Sequence, residues 1–295
     1  MSDDNNWKEY KILNRTYSSY KSGSTTTVVT YGNIEYTIVT NSGNYTELQN
    51  GNYYGLQFNA GFNGTFEINT YKGNDYKFGV LAVGGGGDSK YYGNLDEYSG
   101  GSGGGIFYNN NLYIDDINST IQIYSNAVYN LSVGNPTEQT AYGANYLTCY
   151  PGQSSTASNE AGKVTPLSYS YSNTSTPPVP PNPNPPYYGT VYYLGSSSNS
   201  VYTGGNGGSG CDAGQNSSII SVNVPCSTSP TYYVGGGGGG DYYDGFDYNC
   251  IGLGGHGYGG ASGNTIGTQY GGAYGGGGAG GFIGGPGVFV IWWYV

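Results

Sequence analysis

Charge is scarce in this chain. Asp, Glu, Lys and Arg make up 9% of its 295 residues, and Lys plus Arg number only eight. A net charge of −10 leaves no basic face to neutralise phosphates, which argues against a nucleic-acid partner. The same balance disfavours anionic membrane surfaces. One histidine, His256, and one methionine, Met1, remove most of the usual catalytic and soft-metal chemistry. Ala, Leu, Met, Lys, Arg and Glu, the strong helix formers, are all in short supply, so almost no helix is expected. The cysteines at 149, 211, 226 and 250 form no CxxC pair, which argues against zinc. They leave two readings open: disulfides, with three pairings allowed, or buried free thiols. No apolar run approaches the ~20 residues of a membrane span. Met1–Asn6 has neither the basic nor the apolar region of a signal peptide.

Glycine and tyrosine are abundant, at 57 and 36 residues. Tyr, Val, Ile and Thr favour strands, and Gly, Asn, Ser and Pro favour turns. Aromatic residues at 16% supply far more buriable surface than disordered chains carry. The composition therefore predicts a folded all-β chain. Its glycine comes in runs: Gly84–Gly87, Gly100–Gly105 interrupted by Ser102, Gly235–Gly240 and Gly275–Gly278. A flexible linker would explain such runs, but apolar strand formers bracket them. Val80–Val83 precedes the first, Tyr232–Val234 precedes the third, and Val288–Val295 follows the last. The glycines are therefore expected to be structural. Without Cβ atoms, chains in the three-fold polyproline II conformation can lie side by side and satisfy each other's N–H and C=O groups. Phe107, Phe282, Trp292 and Trp293 are candidates to cover such a layer. The expected architecture is a β-sandwich-like body with packed polyglycine II-type segments and long loops.

Along the chain, residues 1–60 read as an N-terminal β section serving attachment or packing on the main body. Ser24–Val29 and Ile34–Thr40 are strands joined by hairpin chemistry at Tyr31–Asn33. Residues 61–295 read as a glycine-rich β domain. It is interrupted near 150–188 by an insertion whose Pro177–Pro186 stretch can only be extended. Tyr76–Val83 ends in a continuous apolar run, the mark of a strand buried on both faces. Short strands are expected at 106–108, 111–114, 120–124, 130–133, 190–194 and 219–224.

The loops that leave the glycine layer are Asp88–Ser99, Asp241–Cys250 and Gln139–Gly152. Tyr combines a large rigid face with a hydroxyl at low entropy cost, as recognition loops require. The candidate binding residues are Tyr91, Tyr92, Tyr98, Asp241, Tyr242, Tyr243, Asp244 and Phe246. Asp241, Asp244 and Asp247 form D-x-x-D-x-x-D, which lacks the EF-hand spacing and reads better as a solvated acidic loop than as a calcium site. Gly254–Tyr258 around His256 reads as packed or surface structure. No catalytic residue, metal or cofactor is assigned.

Five pieces in order carry a resemblance. Gly64-Thr65-Phe66, Val80–Gly87, Tyr129–Gly134, Gly214–Ile219 and the closing Gly275–Val290, with Val234–Gly240 before it, resemble a glycine-rich domain family. That family occurs in phage tail-fibre and receptor-binding proteins and in structural proteins of large DNA viruses. The match runs in patches over residues 60–295. The chain departs from the phage tip adhesins in its N-terminal section, its Pro-rich insertion and its longer apolar strands. The resemblance thus implies a virion setting more than a tip-adhesin role. It implies a fibre, spike or minor capsid component, located on the virion surface and extracellular when released. Other virion subunits, further copies of the chain and a host-surface glycan or protein are the expected partners. A non-viral extracellular adhesin or matrix protein is the alternative. A carbohydrate-active enzyme is disfavoured, because nothing pairs two carboxylates at glycosidase spacing.

Overall fold

The computed structural model describes residues 14–21, 24–31, 34–71, 77–92, 97–116, 121, 123–143, 147–154, 164–166, 192–193, 200–202, 204–205, 207, 217, 219, 221–237, 241–243, 248–251, 274–279 and 282–295. The chain is all-β, and no helix occurs among the described residues. An eight-stranded sheet runs in the order Asn14–Lys21, Ser24–Tyr31, Ile34–Ser42, Asn63–Tyr71, Val128–Ser132, Thr140–Tyr142, Leu147–Cys149 and Val164–Pro166. A seven-stranded sheet runs Tyr192–Tyr193, Ser200–Tyr202, Ile106–Tyr113, Lys77–Val83, Val288–Tyr294, Tyr53–Phe58 and Tyr45–Asn50. Neighbouring strands in both sheets are antiparallel.

Alternation along each strand builds two apolar cores. In Ile34–Ser42 the buried residues are Ile34, Tyr36 and Ile38. They meet Phe66 and Ile68 of their own sheet and Phe58, Phe78, Phe289 and Trp293 of the other. Aromatic edges close the space: Tyr36 lies 6.1 Å from Trp293, and Phe58 lies 4.8 Å from Phe62. The far face of the seven-stranded sheet is also covered. Leu81, Val83, Ile106, Val288, Val290 and Trp292 pack there against Val222, Val224, Tyr232 and Val234. Val222 and Tyr232 are paired within a two-stranded ribbon of Ser221–Asn223 and Thr231–Tyr233, and Val224 and Val234 follow its strands. This explains why Phe78–Val83 and Val288–Trp293 are continuously apolar: successive residues enter alternate cores. Trp292 is paired with Gly55 on one side and Gly79 on the other. A Cβ on Gly79 would lie 2.0 Å from its indole, so glycine there makes room for the ring.

Several elements differ from the sequence reading. Strands on either side of residue 60 pair with one another, Ile34–Ser42 with Asn63–Tyr71 and Tyr53–Phe58 with Val288–Tyr294. The boundary at 60 therefore marks no break in either sheet. Residues 139–152 are not a free loop, because Thr140–Tyr142 and Leu147–Cys149 form a hairpin in the eight-stranded sheet. Its buried Thr140, Tyr142, Leu147 and Cys149 alternate over stretches too short to show a period. The strands expected at 106–108 and 111–114 are one, Ile106–Tyr113, with an irregularity between Asn109 and Leu112. Of the proline-rich insertion, only Val164–Pro166 lies within a described strand; Pro177–Pro186 lies outside the described residues.

The described glycines of the runs are hydrogen-bonded to one another, while Gly238–Gly240 lie outside the described residues. Gly84 N donates to Gly105 O at 2.9 Å, Gly85 N to Glu138 O at 2.9 Å, Gly86 N to Gly285 O at 2.8 Å and Gly87 N to Ser102 O at 2.8 Å. The donor thus visits three different neighbours and returns to the first after three residues. Residues 101–105 do the same: Gly101 and Gly104 donate to Gly278 and Gly275, Ser102 and Gly105 to Gln153 and Tyr150, and Gly103 to Gly205. A β-ladder alternates between two sides, whereas this pattern repeats every third residue and bonds a chain in several directions at once. Residues 134–138, 235–236 and 285–287 join the same stack. At its entrance, Gly235 and Gly275 have φ of 66° and 64°, turning the chain out of the parallel bridge between Val234 and Tyr274. Of the four aromatic residues expected to cover this layer, Phe282 adjoins it, its carbonyl accepting from Ser89 N, and the other three lie elsewhere. Phe107 and Trp293 lie in the core between the large sheets, and Trp292 lies on Gly79. Added Cβ atoms within the stack would instead meet backbone oxygens of neighbouring segments.

Candidate functional site

Two surface regions grow out of the glycine stack. The first contains all five tyrosines singled out from sequence. Lys90–Tyr92, Glu97–Ser99, Asp241–Tyr243 and Tyr248–Ile251 form one four-stranded antiparallel sheet, ordered with Asp241–Tyr243 between Tyr248–Ile251 and Glu97–Ser99. Segments more than a hundred residues apart are thereby hydrogen-bonded. Tyr91 pairs with Tyr98, and Tyr98 with Asp241. In the next row Tyr92 pairs with Glu97, Glu97 with Tyr242, and Tyr242 with Cys250. Tyr243 pairs with Tyr248 across an irregularity. So Tyr91, Tyr92, Tyr98, Asp241, Tyr242 and Tyr243 belong to one sheet, while Asp244, Phe246, Asp247 and His256 lie outside the described residues. The root of this sheet is anchored: Asp88 Oδ1 accepts from Gly284 N at 2.9 Å, and Ser89 N donates to Phe282 O at 3.0 Å.

The second region was not singled out from sequence. An open groove of about 680 Å³ lies beside the turn at 134–139, between residues 42, 61–63 and 150–151. Buried Phe62, Val133 and Gly134 line it together with exposed Asn63, Asn135, Thr137, Glu138, Gln139 and Tyr150. A smaller hollow of about 220 Å³ adjoins it and shares Asn63 and Ser132. The turn is held from behind, since Glu138 O accepts from Gly85 N and Thr137 N donates to Gly86 O, both at 2.9 Å. Glu138 Oε2 accepts from Asn135 N at 3.0 Å and Asn135 Nδ2 at 2.9 Å. Thr137 has φ of 65°, the left-handed region that a β-branched residue rarely enters. The only sequence signal was the turn chemistry of Gly134-Asn135-Pro136, which reveals nothing of the groove.

The described thiols are structural. Cys149 and Cys226 are free and buried. Burial pushes the Cys149 thiol far up, and its Sγ lies 3.4 Å from Ala82 O. Burial likewise raises Cys226 from 9.0 to about 12, and Tyr232 from 10.0 to about 12. Tyr232 OH also donates to Gln57 Oε1 at 2.6 Å. Both cysteines are expected to resist iodoacetamide at about pH 8 and to react once guanidinium unfolds the chain, because the thiolate is the nucleophile. Site-resolved mass spectrometry reads this, and native labelling of Cys149 would contradict a closed core. The neutral forms of Cys226 and Tyr232 favour the fold fully below their ordinary pKa values. That contribution is lost as pH rises toward the folded values of about 12, so stability is expected to decline across the alkaline range above 9.0.

Among the described residues no three His, Cys, Asp or Glu side chains cluster to hold a metal, and no helix is long and apolar enough to cross a membrane. No known family model matches the chain, and no curated protein is significantly similar to it.

Proposed function

We propose that this chain is a structural or surface component of a virion, a fibre, spike or minor capsid piece. In this reading its two large sheets form a β-sandwich body, and the glycine stack is a polyglycine II-type layer. The observation that carries it is the three-residue hydrogen-bond repeat among glycine segments. It is the device implied by the resemblance of residues 60–295 to glycine-rich virion proteins. A backbone-only layer has no side chains with which to read a partner, so recognition falls to the segments that leave it. The sheet containing Tyr91, Tyr98, Asp241 and Tyr242 is the proposed contact with a host-surface glycan or protein. Assembly with other virion subunits and with further copies of the chain belongs to the same proposal, as does a location on the virion surface. No catalytic role is proposed.

Electron microscopy of purified particles would place the chain. Replacing Tyr242 and Tyr243 by Ala then tests the contact. Host attachment is expected to fall while particle assembly stays normal. Failed incorporation into particles would assign these tyrosines to a subunit interface instead, and unchanged attachment and assembly would remove them from any site.

A further inference from the structure

We infer that the groove beside the turn at 134–139 is a binding site for neutral oligosaccharide. Its volume of about 680 Å³ lies within the ~300–1,000 Å³ usual for small-molecule sites. Its exposed side chains are mostly amides and hydroxyls: Asn63, Asn135, Thr137 and Gln139. Such groups both donate and accept, as each sugar hydroxyl does. Tyr150, 40% exposed, offers a ring for the CH face of a pyranose.

Charge narrows the ligand class. Among the described residues no Lys, Arg or His lines the groove, and Glu138 is the one carboxylate. An anionic sugar would meet no cation there and would be repelled by Glu138 and by the net charge of −10. The adjoining hollow of about 220 Å³, lined by Asn41, Thr65 and Asn130, extends the path beyond a single sugar ring.

The site is also preorganised. The bonds from Gly85 and to Gly86 fix the turn's backbone to the buried stack, leaving its side chains outside. Little freedom remains to be lost on binding. Thr137 occupies the third position of the Asn135–Glu138 turn, closed by Glu138 N donating to Asn135 O at 3.0 Å. A positive φ at that position calls for Gly or Asn. Strain of this kind clusters at functional sites, and Thr137 lines the groove.

The inference does not rest on the virion reading, since it is tested on the purified full chain alone. The probes are neutral gluco-, galacto- and chito-oligosaccharides, with a sialylated oligosaccharide as the anionic control, titrated by calorimetry. At least one neutral oligomer is expected to bind, and the sialylated one more weakly. Tyr150→Ala and Gln139→Ala are expected to weaken binding about tenfold with the melting temperature unchanged. Thr137→Gly is expected to raise the melting temperature while weakening binding. Absence of binding by every neutral oligomer at millimolar concentration overturns the inference. So does binding that survives both groove substitutions.

Discussion

A single methyl group placed on Gly103 is expected to abolish folding. The Cβ would stand 1.8 Å from Gly235 O and 2.5 Å from Gly235 C. Neither is a side chain that can swing aside. Gly235 O already accepts from Gly205 N at 2.7 Å, and Gly103 N donates to Gly205 O at 2.8 Å. Relief therefore requires whole segments to separate. Ordinary overpacking costs about 1–3 kcal/mol, because neighbouring rotamers share the strain. Here several buried hydrogen bonds would break as well, each leaving groups whose desolvation costs about 1–3 kcal/mol. The sum approaches the ~5–15 kcal/mol that holds a typical domain together. Gly51→Ala provides the contrast. Gly51 has φ of 59° but nothing within 4 Å of the added atom. Its cost should be only the left-handed penalty, about 1–2 kcal/mol. Soluble yield and urea midpoints of the two variants separate the cases. Equal midpoints would mean that the glycine stack is not close-packed.

Removing Val288–Val295 is expected to leave no soluble folded protein. The strand is central, paired with Tyr53–Phe58 on one side and Lys77–Val83 on the other. Its loss would expose the edges of both neighbours, which invite aggregation. It would also open both cores, since Phe289, Ile291 and Trp293 enter one and Val288, Val290 and Trp292 the other. Each such side chain contributes about 1.5–3 kcal/mol by burial, so six exceed the stability of most domains. Size-exclusion chromatography and circular dichroism of the truncated chain decide it. A soluble variant with the parent's β signal would show that the strand can be spared.

Those two elements were also the most legible in the sequence. An unbroken run of apolar strand formers beside glycine reads as a buried strand, and Val288–Tyr294 is one, buried as far as Trp293. Ile34–Thr40 declared its period through Ile34, Tyr36 and Ile38. Partners were not legible. Nothing near Tyr53–Phe58 indicates a mate more than two hundred residues away, because antiparallel pairing is written in backbone atoms common to all residues. The Tyr-rich stretches at 88–99 and 241–250 looked like separate loops for the same reason. The groove was hidden because its walls come from residues 42, 61–63, 132–135, 137–139 and 150–151, none distinctive alone. Glycine also carries no face pattern, so its runs indicated close packing without indicating which segments pack.

The three-residue return of the hydrogen bonds sets a rule for how this molecule can change in length. A donor in the stack rotates by a third of a turn with each residue, so that Gly84 and Gly87 serve one neighbour while Gly85 and Gly86 serve two others. Inserting one or two residues within a run would point every later donor at the wrong chain. Inserting three restores the phase. Segments outside the stack carry no such arithmetic and can grow or shrink by any number. Descent of this architecture would therefore leave an uneven record, with glycine runs drifting by triplets and the stretches between them drifting freely.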